Sequence, residues 1–230
     1  MKLSIIVPVY NEKGTIHEIL QRVRAVPLND IDKEIIVVDD CSTDGTREIL
    51  AQEAAAVDVR VLHHPVNKGK GAAIQTGLQA STGDLIIVQD ADLEYDPTDY
   101  GKLMAPIVAG KATVVYGSRF AQGHHKKMFP SQRLANTVLT VLTNLLYGTA
   151  LSDMETCYKV FPAQVIKPIR LRAQRFDFEP EITAKLLKRG HRILEVPISY
   201  AGRVYHEGKK INWRDGVVAV YSLIYYRFFD

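Results

Sequence analysis

"KEIIVVDD" (Lys33–Asp40) holds four consecutive β-branched apolar residues and ends on two aspartates. A strand with one wet face alternates apolar and polar residues, so an unbroken run indicates burial on both faces. The same device recurs on either side. "LSIIVPV" (Leu3–Val9) precedes it, and "VDVRVLHH" (Val57–His64), "GDLIIVQD" (Gly83–Asp90) and "KATVVYGSR" (Lys111–Arg119) follow. Segments with helical periodicity separate them: "GTIHEILQRVRAV" (Gly14–Val26), "STDGTREILAQEAAA" (Ser42–Ala56, opened by a Ser/Thr/Asp cap), "KGAAIQTGLQAS" (Lys70–Ser81) and the stretch after Pro97. Strand, helix, strand at this spacing gives βαβ units. The expected fold is α/β, with a mostly parallel central sheet flanked by helices. After Arg119 the pattern turns helix-rich, with one clear late strand in "HRILEVPISY" (His191–Tyr200). That half reads as a covering layer, which makes residues 1–230 a single domain.

Composition is that of an ordinary globular protein, 47% hydrophobic and 24% charged over 230 residues. A net charge of +3 gives no ground for nucleic-acid binding. The charge is uneven, however. "HHKK" (His124–Lys127), "KPIRLRAQR" (Lys167–Arg175), "KLLKRGHR" (Lys185–Arg192) and "RVYHEGKK" (Arg203–Lys210) all lie in the second half, which suits an anionic ligand there. Cys41 and Cys157 form no framework, so a reduced, cytoplasmic setting is expected. The uncharged "LANTVLTVLTNLLYGTALS" (Leu134–Ser152) carries asparagines and threonines that make membrane insertion costly. With Leu134, Val138, Leu142, Leu145 and Leu146 at mostly helical spacing, it reads as an amphipathic helix, buried or at an interface.

In open α/β sheets, ligands sit beyond the carboxyl ends of the strands. Four polar clusters fall there: Tyr10, Asn11 and Glu12; Asp39 and Asp40; Asp90 and Asp92; and Gly117, Ser118 and Arg119. In "VQDADLEYDP" (Val88–Pro97), Asp90, Asp92, Glu94 and Asp96 alternate, so an extended backbone would set them on one side. Such crowding is tolerable around a hard cation, whose remaining positions phosphate oxygens or water can fill. A lone D-x-D occurs as readily on a solvated loop. "NKGKGAA" (Asn67–Ala73) has only the composition of a phosphate loop, and no nucleotide motif of the G-x-x-x-x-G-K-[ST] or G-x-G-x-x-G type is present.

"SIIVPVYNE", "IIVVDDCSTDGT", "NKGKGAAIQTGL", "DLIIVQDADLEYDP" and "VVYGSRF" stand in the order of family 2 inverting glycosyltransferases. With "LSDMETCYKVF", "FDFEPEITAKLLKRG" and "EVPISYAGRVYHEGKKINWRDG", the whole chain resembles the polyprenyl-phosphate branch that includes dolichyl-phosphate mannose synthases. The resemblance implies a GT-A (nucleotide-diphospho-sugar transferase) fold. It makes residues 1–119 a nucleotide-sugar-binding half and residues 120–230 an acceptor-side half. It implies metal-dependent transfer of a hexose or related sugar from a GDP- or UDP-sugar to a dolichyl or undecaprenyl phosphate. By the same resemblance Pro8, Tyr10 and Glu12 line the nucleotide pocket, Asp39 meets the base, and Asp90, Ala91 and Asp92 hold the sugar diphosphate. Asp90, Asp92 and Glu94 are the implied ligands of Mg²⁺ or Mn²⁺. Arg119 and Arg133 face phosphate, Asp153 lies near the acceptor or caps a helix, and Arg203 and Lys209 close over the diphosphate. Lys126 is a further candidate for a phosphate contact.

The catalytic set expected is therefore Asp92, Arg119 and Asp153. Two other readings stay open: a family 2 enzyme with a soluble or polysaccharide acceptor, and a nucleotide-sugar-binding subunit without turnover. The C-terminal "GVVAVYSLIYYRFF" (Gly216–Phe229) suits an amphipathic helix, either packed internally or lying on a membrane surface. A peripheral position on the cytoplasmic face, or a membrane-embedded partner, would bring a lipid acceptor within reach.

Overall fold

Each Val/Ile run forms a buried strand, and the strands align so that their apolar residues meet. The computed structural model describes residues 1–28, 30–121, 128–202 and 213–229. In chain order these give β1 (Lys2–Val9), α1 (Ile16–Ala25), β2 (Asp32–Asp39), α2 (Thr46–Glu53), β3 (Val59–His63), α3 (Lys70–Ala80) and β4 (Leu85–Val88). There follow α4 (Tyr100–Val108), β5 (Val114–Ser118), α5 (Pro130–Tyr147), β6 (Lys159–Pro162), α6 (Ala163–Ile166), α7 (Phe178–Lys188), β7 (Ile193–Pro197) and α8 (Trp213–Phe229). The described strands make one seven-stranded sheet in the order β3-β2-β1-β4-β6-β5-β7. Ile5 of β1 lies opposite Ile35 of β2 on one side and Ile87 of β4 on the other. All three are buried, each contributing about 1.5–3 kcal/mol of apolar burial.

All neighbouring strands run parallel except β6, which is antiparallel to both β4 and β5. This strand was not foreseen: it has four residues, ends on Pro162 and follows a polar loop, so it offers no periodicity to read. From β1 the chain builds outward through β2 to β3, then returns to place β4 on the other flank of β1. The carboxyl ends of β1 and β4 therefore flank the point where strand order reverses, the expected crevice for a ligand.

Two helices depart from their sequence reading. No side chain of the N-cap residue closes α2, because Gly45 occupies that position in the left-handed region at φ 101°. Asp44 acts one residue earlier, accepting from the Thr46 amide at 3.0 Å. In α5 the apolar residues divide between two faces: Leu134 is 65% and Leu145 78% exposed, with Val138 and Val141 also exposed, whereas Leu139 is buried and Leu142 and Leu146 pack beside it. The inward face also carries a polar ladder at i, i+4 spacing. Asn136, Thr140 and Asn144 bind the backbone of Glu155, Met154 and Leu151 respectively, at 3.4, 3.1 and 2.9 Å. α8 packs on α5 and is apolar on both sides. Ala219, Leu223 and Tyr226 are buried, whereas Val217, Tyr221, Ile224 and Phe228 are exposed. Among the described residues no helix is long and apolar enough to cross a membrane.

Candidate active site

The ends of β1, β2 and β4 bring three of the four polar clusters to one sheet edge, and β5 adds the fourth. After β1, Asn11 takes a left-handed backbone (φ 50°), and its amide donates to Ser42 Oγ at 2.9 Å while its own Oδ1 accepts from the Thr43 amide at 2.8 Å. The Glu12 amide donates to Thr46 Oγ1 at 3.0 Å, so the loops after β1 and β2 are stitched together. Pro8 and Tyr10 are half-buried on the same edge.

Asp39 is fully buried. Its Oδ1 accepts from the Ser42 amide (3.0 Å), and Oδ2 accepts from Arg47 Nε (2.7 Å) and lies 3.1 Å from His63 Nδ1. Burial works against its charge, but the bonds from Ser42, Arg47 and His63 outweigh that and hold the carboxyl below its ordinary range. Both oxygens are thus engaged by the chain itself. Asp40, which the sequence reading gave no task, fixes the entry to α3. It accepts from the amides of Lys68 and Gly69 at 2.8 and 2.7 Å and pairs with His64 at 2.7 Å. Gly69 stands at φ 93° with room for no side chain, since a Cβ there would come within 2.4 Å of the Gln174 carbonyl.

Asp90 leaves the end of β4 and meets the Lys70 amine at 2.8 Å, and the same amine reaches Glu179 Oε1 at 3.1 Å. Burial opposes the charge on Lys70, yet Asp90 and Glu179 outweigh it, so the amine holds its proton well above the ordinary lysine value. Asp92 Oδ1 accepts from the Glu94 amide at 3.1 Å, and the Glu94 carboxylate accepts from the Tyr200 hydroxyl at 2.7 Å. Among the described residues no three carboxylate, imidazole or thiol groups converge into a metal cage, so Asp90, Asp92 and Glu94 do not form one by themselves. Two hard carboxylates beside a crevice nevertheless fit Mg²⁺ or Mn²⁺. Such ions take one or two protein carboxylates and complete their shell with substrate phosphate and water. Ala91 between them is buried and anchors the turn.

Arg119 follows β5 and is held by Asp153 in a fork: Nε donates to Oδ2 and one terminal nitrogen to Oδ1, both at 2.7 Å. The Arg119 amide adds a third bond to Oδ2 at 2.9 Å, and the guanidinium lies 5.2 Å from the Tyr200 ring. Burial again opposes the charge, but Asp153 more than compensates. Asp153 therefore starts no helix; it neutralises Arg119. Glu195 of β7 in turn accepts from the amides of Ser152 and Asp153 at 2.7 and 2.8 Å. Arg133 sits exposed on the first turn of α5, with no carboxylate against it among the described residues. Arg203, Lys209 and Lys126 lie outside the described residues.

Four positioning residues were missed, Lys70, Lys159, Glu179 and Glu195, while Asp40 had been placed at the sheet edge without a task. Lys159 had a signal, a lysine inside the apolar run "CYKVF"; it is fully buried, and its amine donates to the carbonyls of Met154 and Thr156. A buried charge needs such partners, so a charged residue within an apolar run marks a network. Lys70 and Glu179 gave none, because their pairing joins segments far apart in sequence.

With this geometry in place, comparison with known proteins adds a lineage. The model of glycosyl transferase family 2 matches residues 4–170. An undecaprenyl-phosphate mannosyltransferase from Micrococcus luteus is 31% identical over 91% of this chain and 87% of its own. A dolichol-phosphate mannosyltransferase from Pyrococcus furiosus is 28% identical over 91% of this chain, which spans 59% of that relative's length. Among solved structures, glucosyl-3-phosphoglycerate synthase from Mycobacterium tuberculosis, crystallised with Mn²⁺, UDP-glucose and phosphoglyceric acid, superposes with a TM-score of 0.72. The match covers 98% of this chain and 79% of that one at 21% identity, and it places the fold in the GT-A class.

Proposed function

The chain belongs to glycosyl transferase family 2, and we propose that it moves a hexose or related sugar from a GDP- or UDP-linked donor to a polyprenyl phosphate, inverting the anomeric carbon. The D-x-D at the β1/β4 switch point supports the donor half of this reading. The observation that carries the acceptor half is the outer surface of α5 and α8. Arg133, a cation with no carboxylate partner among the described residues, adjoins the exposed Leu134, Val138, Val141 and Leu145, and α8 extends the apolar surface through Val217, Tyr221, Ile224 and Phe228. A phosphate on an isoprenoid tail has that same pairing of anion and apolar chain. The Micrococcus undecaprenyl-phosphate mannosyltransferase and the Pyrococcus dolichol-phosphate mannosyltransferase agree with it.

A polyprenyl phosphate is already anionic near neutral pH, so its oxygen needs little general-base help to attack. The chain's task is to bring two anions together. Arg133 offers a bidentate fork for the acceptor phosphate, and Arg203 and Lys209 are assigned to the donor diphosphate by their place in the family pattern. Arg119, locked and neutralised by Asp153, gives the site a rigid floor and leaves the phosphate charge to the other cations. Held by Asp90 and Asp92, Mg²⁺ or Mn²⁺ would neutralise charge developing on the departing nucleoside diphosphate. We place the enzyme in the cytoplasm, with the α5/α8 surface against the membrane that holds the acceptor.

Arg133→Ala tests the reading through two activities, transfer to polyprenyl phosphate and hydrolysis of the donor by water. Transfer should fall at least tenfold further than hydrolysis, since water needs no acceptor clamp. Equal losses would move Arg133 to the donor side. A wild-type enzyme that glycosylates neutral sugars and not polyprenyl phosphate would overturn the acceptor assignment.

A further inference from the structure

Buried polar atoms normally find partners, and each one without a partner calls for an explanation. Five side-chain atoms among the described residues have none, and four of these cluster where α5 meets the loop after Asp153: Gln132 Nε2, Asn136 Nδ2, Glu155 Oε1 and Thr156 Oγ1. Gln132 is one turn before Asn136, so it extends the polar ladder of α5. Thr140 and Asn144 complete their bonds to the loop, while the two ladder residues nearest the start of the helix keep donors in hand.

The loop cannot easily turn to meet them. Glu195 holds the amides of Ser152 and Asp153, Asn136 Oδ1 and Thr140 Oγ1 hold those of Glu155 and Met154, and Lys159 holds the carbonyls of Met154 and Thr156. A backbone this constrained fixes where Glu155 and Thr156 stand. Both side chains are short of partners by construction rather than by looseness.

The location is next to the proposed chemistry. The Cys157 thiol, next to Thr156, donates to the carbonyl of Val88 at the end of β4 at 3.7 Å, and Glu179, whose charge acts on Glu155, shares Lys70 with Asp90 of the D-x-D. Burial first, and Glu179 second, push the Glu155 carboxyl up to about 8, so near neutral pH it carries a proton and offers one donor and one acceptor. Two amide donors, a carboxylic acid and a hydroxyl form a mixed set. A phosphate would gain little from the acceptors, and an apolar group would leave all four unpaired. Ring hydroxyls, each both donor and acceptor, match it.

We propose that Gln132, Asn136, Glu155 and Thr156 form the subsite that reads the hydroxyl groups of the transferred sugar. This assignment rests on the glycosyl-transfer reading above. It predicts that donor choice among sugar epimers is set on the acceptor-side half of the chain, away from the nucleotide contacts.

The test uses Gln132→Leu and Thr156→Val, which delete an unpaired atom without removing any bond seen in the structure. Calorimetry would measure free UDP and GDP, then UDP-glucose, UDP-galactose and GDP-mannose, with Mn²⁺ present. Expected is an unchanged affinity, within about twofold, for the free diphosphates, together with a fall of about tenfold per variant in the extra affinity of the preferred nucleotide sugar. Unchanged sugar preference in both variants, or equal loss for diphosphate and nucleotide sugar, would overturn the subsite. Failure of the wild type to bind any of the five compounds would count against the donor reading itself. A stability measurement separates that failure from failure of the subsite. Thr156→Val should raise the thermal midpoint by about 2–4 °C if its hydroxyl is an orphan in the unliganded protein, and a fall would show it to be satisfied internally and end the proposal.

Discussion

Asp153→Asn is the sharpest probe of the site floor, because it keeps the shape of the side chain and removes only its charge. In the native pair Oδ2 receives two bonds from Arg119, at 2.9 and 2.7 Å, and Oδ1 receives one at 2.7 Å. An asparagine can keep its oxygen at the Oδ2 position, which turns its amide NH₂ toward a guanidinium nitrogen that also carries only donors. One charge-assisted bond is lost, about 1.5–3 kcal/mol, and a buried guanidinium is left without its counter-charge. Breaking one side of a buried pair costs about 3–5 kcal/mol in all. Against a total stability of about 5–15 kcal/mol the protein should remain folded, with its urea midpoint lowered by about 1–3 M. Equilibrium urea unfolding followed by tryptophan fluorescence and circular dichroism measures this, and Arg119→Met with Asp153→Leu should recover most of the loss. A loss under about 1 kcal/mol in Asp153→Asn would refute the clamp and return Arg119 to duty as a mobile phosphate ligand.

Asp92→Ala should abolish metal-stimulated transfer while leaving the circular dichroism spectrum and thermal midpoint near wild type; full activity of this variant, or of wild type in EDTA, would remove the metal from the reading. Glu34 is held down to about 2 despite its burial, by bonds from Lys2, Ser4 and Thr82. A depressed carboxyl adds stability that is complete above the unfolded value near 4.5 and is lost as pH falls toward 2. Glu34→Gln should therefore cost about 1–2 kcal/mol at pH 7, allowing for solvent screening, and almost nothing at pH 2, as urea titrations at the two pH values would show. Tyr221→Glu and Val138→Glu place a charge on the outer surface of α8 and α5, where burial in the fold is slight. Each should lower sedimentation with anionic phospholipid vesicles at least fivefold without shifting the thermal midpoint, and unchanged sedimentation would detach that surface from the membrane.

The first half of the fold was legible because each strand states its burial in its own letters. "SIIV", "IIVV" and "LIIV" need no partner in sequence to be recognised, and their carboxyl ends locate the crevice by topology alone. The second half resisted for the opposite reason. β6 is too short to show a period, and α5 mixes its faces: part of its inner face is polar because it serves a loop, and Leu134, Val138, Val141 and Leu145 go outward. α7 likewise buries Glu179, Glu181 and Lys185, residues that composition assigns to a solvated surface. In the site, Asp90 and Asp92 stood out by spacing. The reach of Arg119 to Asp153, of Lys70 to Glu179 and of Glu195 to the Ser152 amide depends on strands brought together only by folding.

The antiparallel β6 also dictates an order of assembly on the ribosome. β1 to β4 can pair among themselves as soon as about two fifths of the chain has emerged. β5 cannot join them: its only sheet partners among the described residues are β6 and β7, which are made later. Until "KVFP" arrives, β4 presents a bare edge of four apolar residues, an invitation to pair with another nascent chain. Arg119, at the end of β5, and Asp153, just ahead of β6, reach each other only when that gap closes. The ion pair between them is thus among the last contacts made, so premature termination should yield a four-stranded first-half sheet that is prone to aggregate.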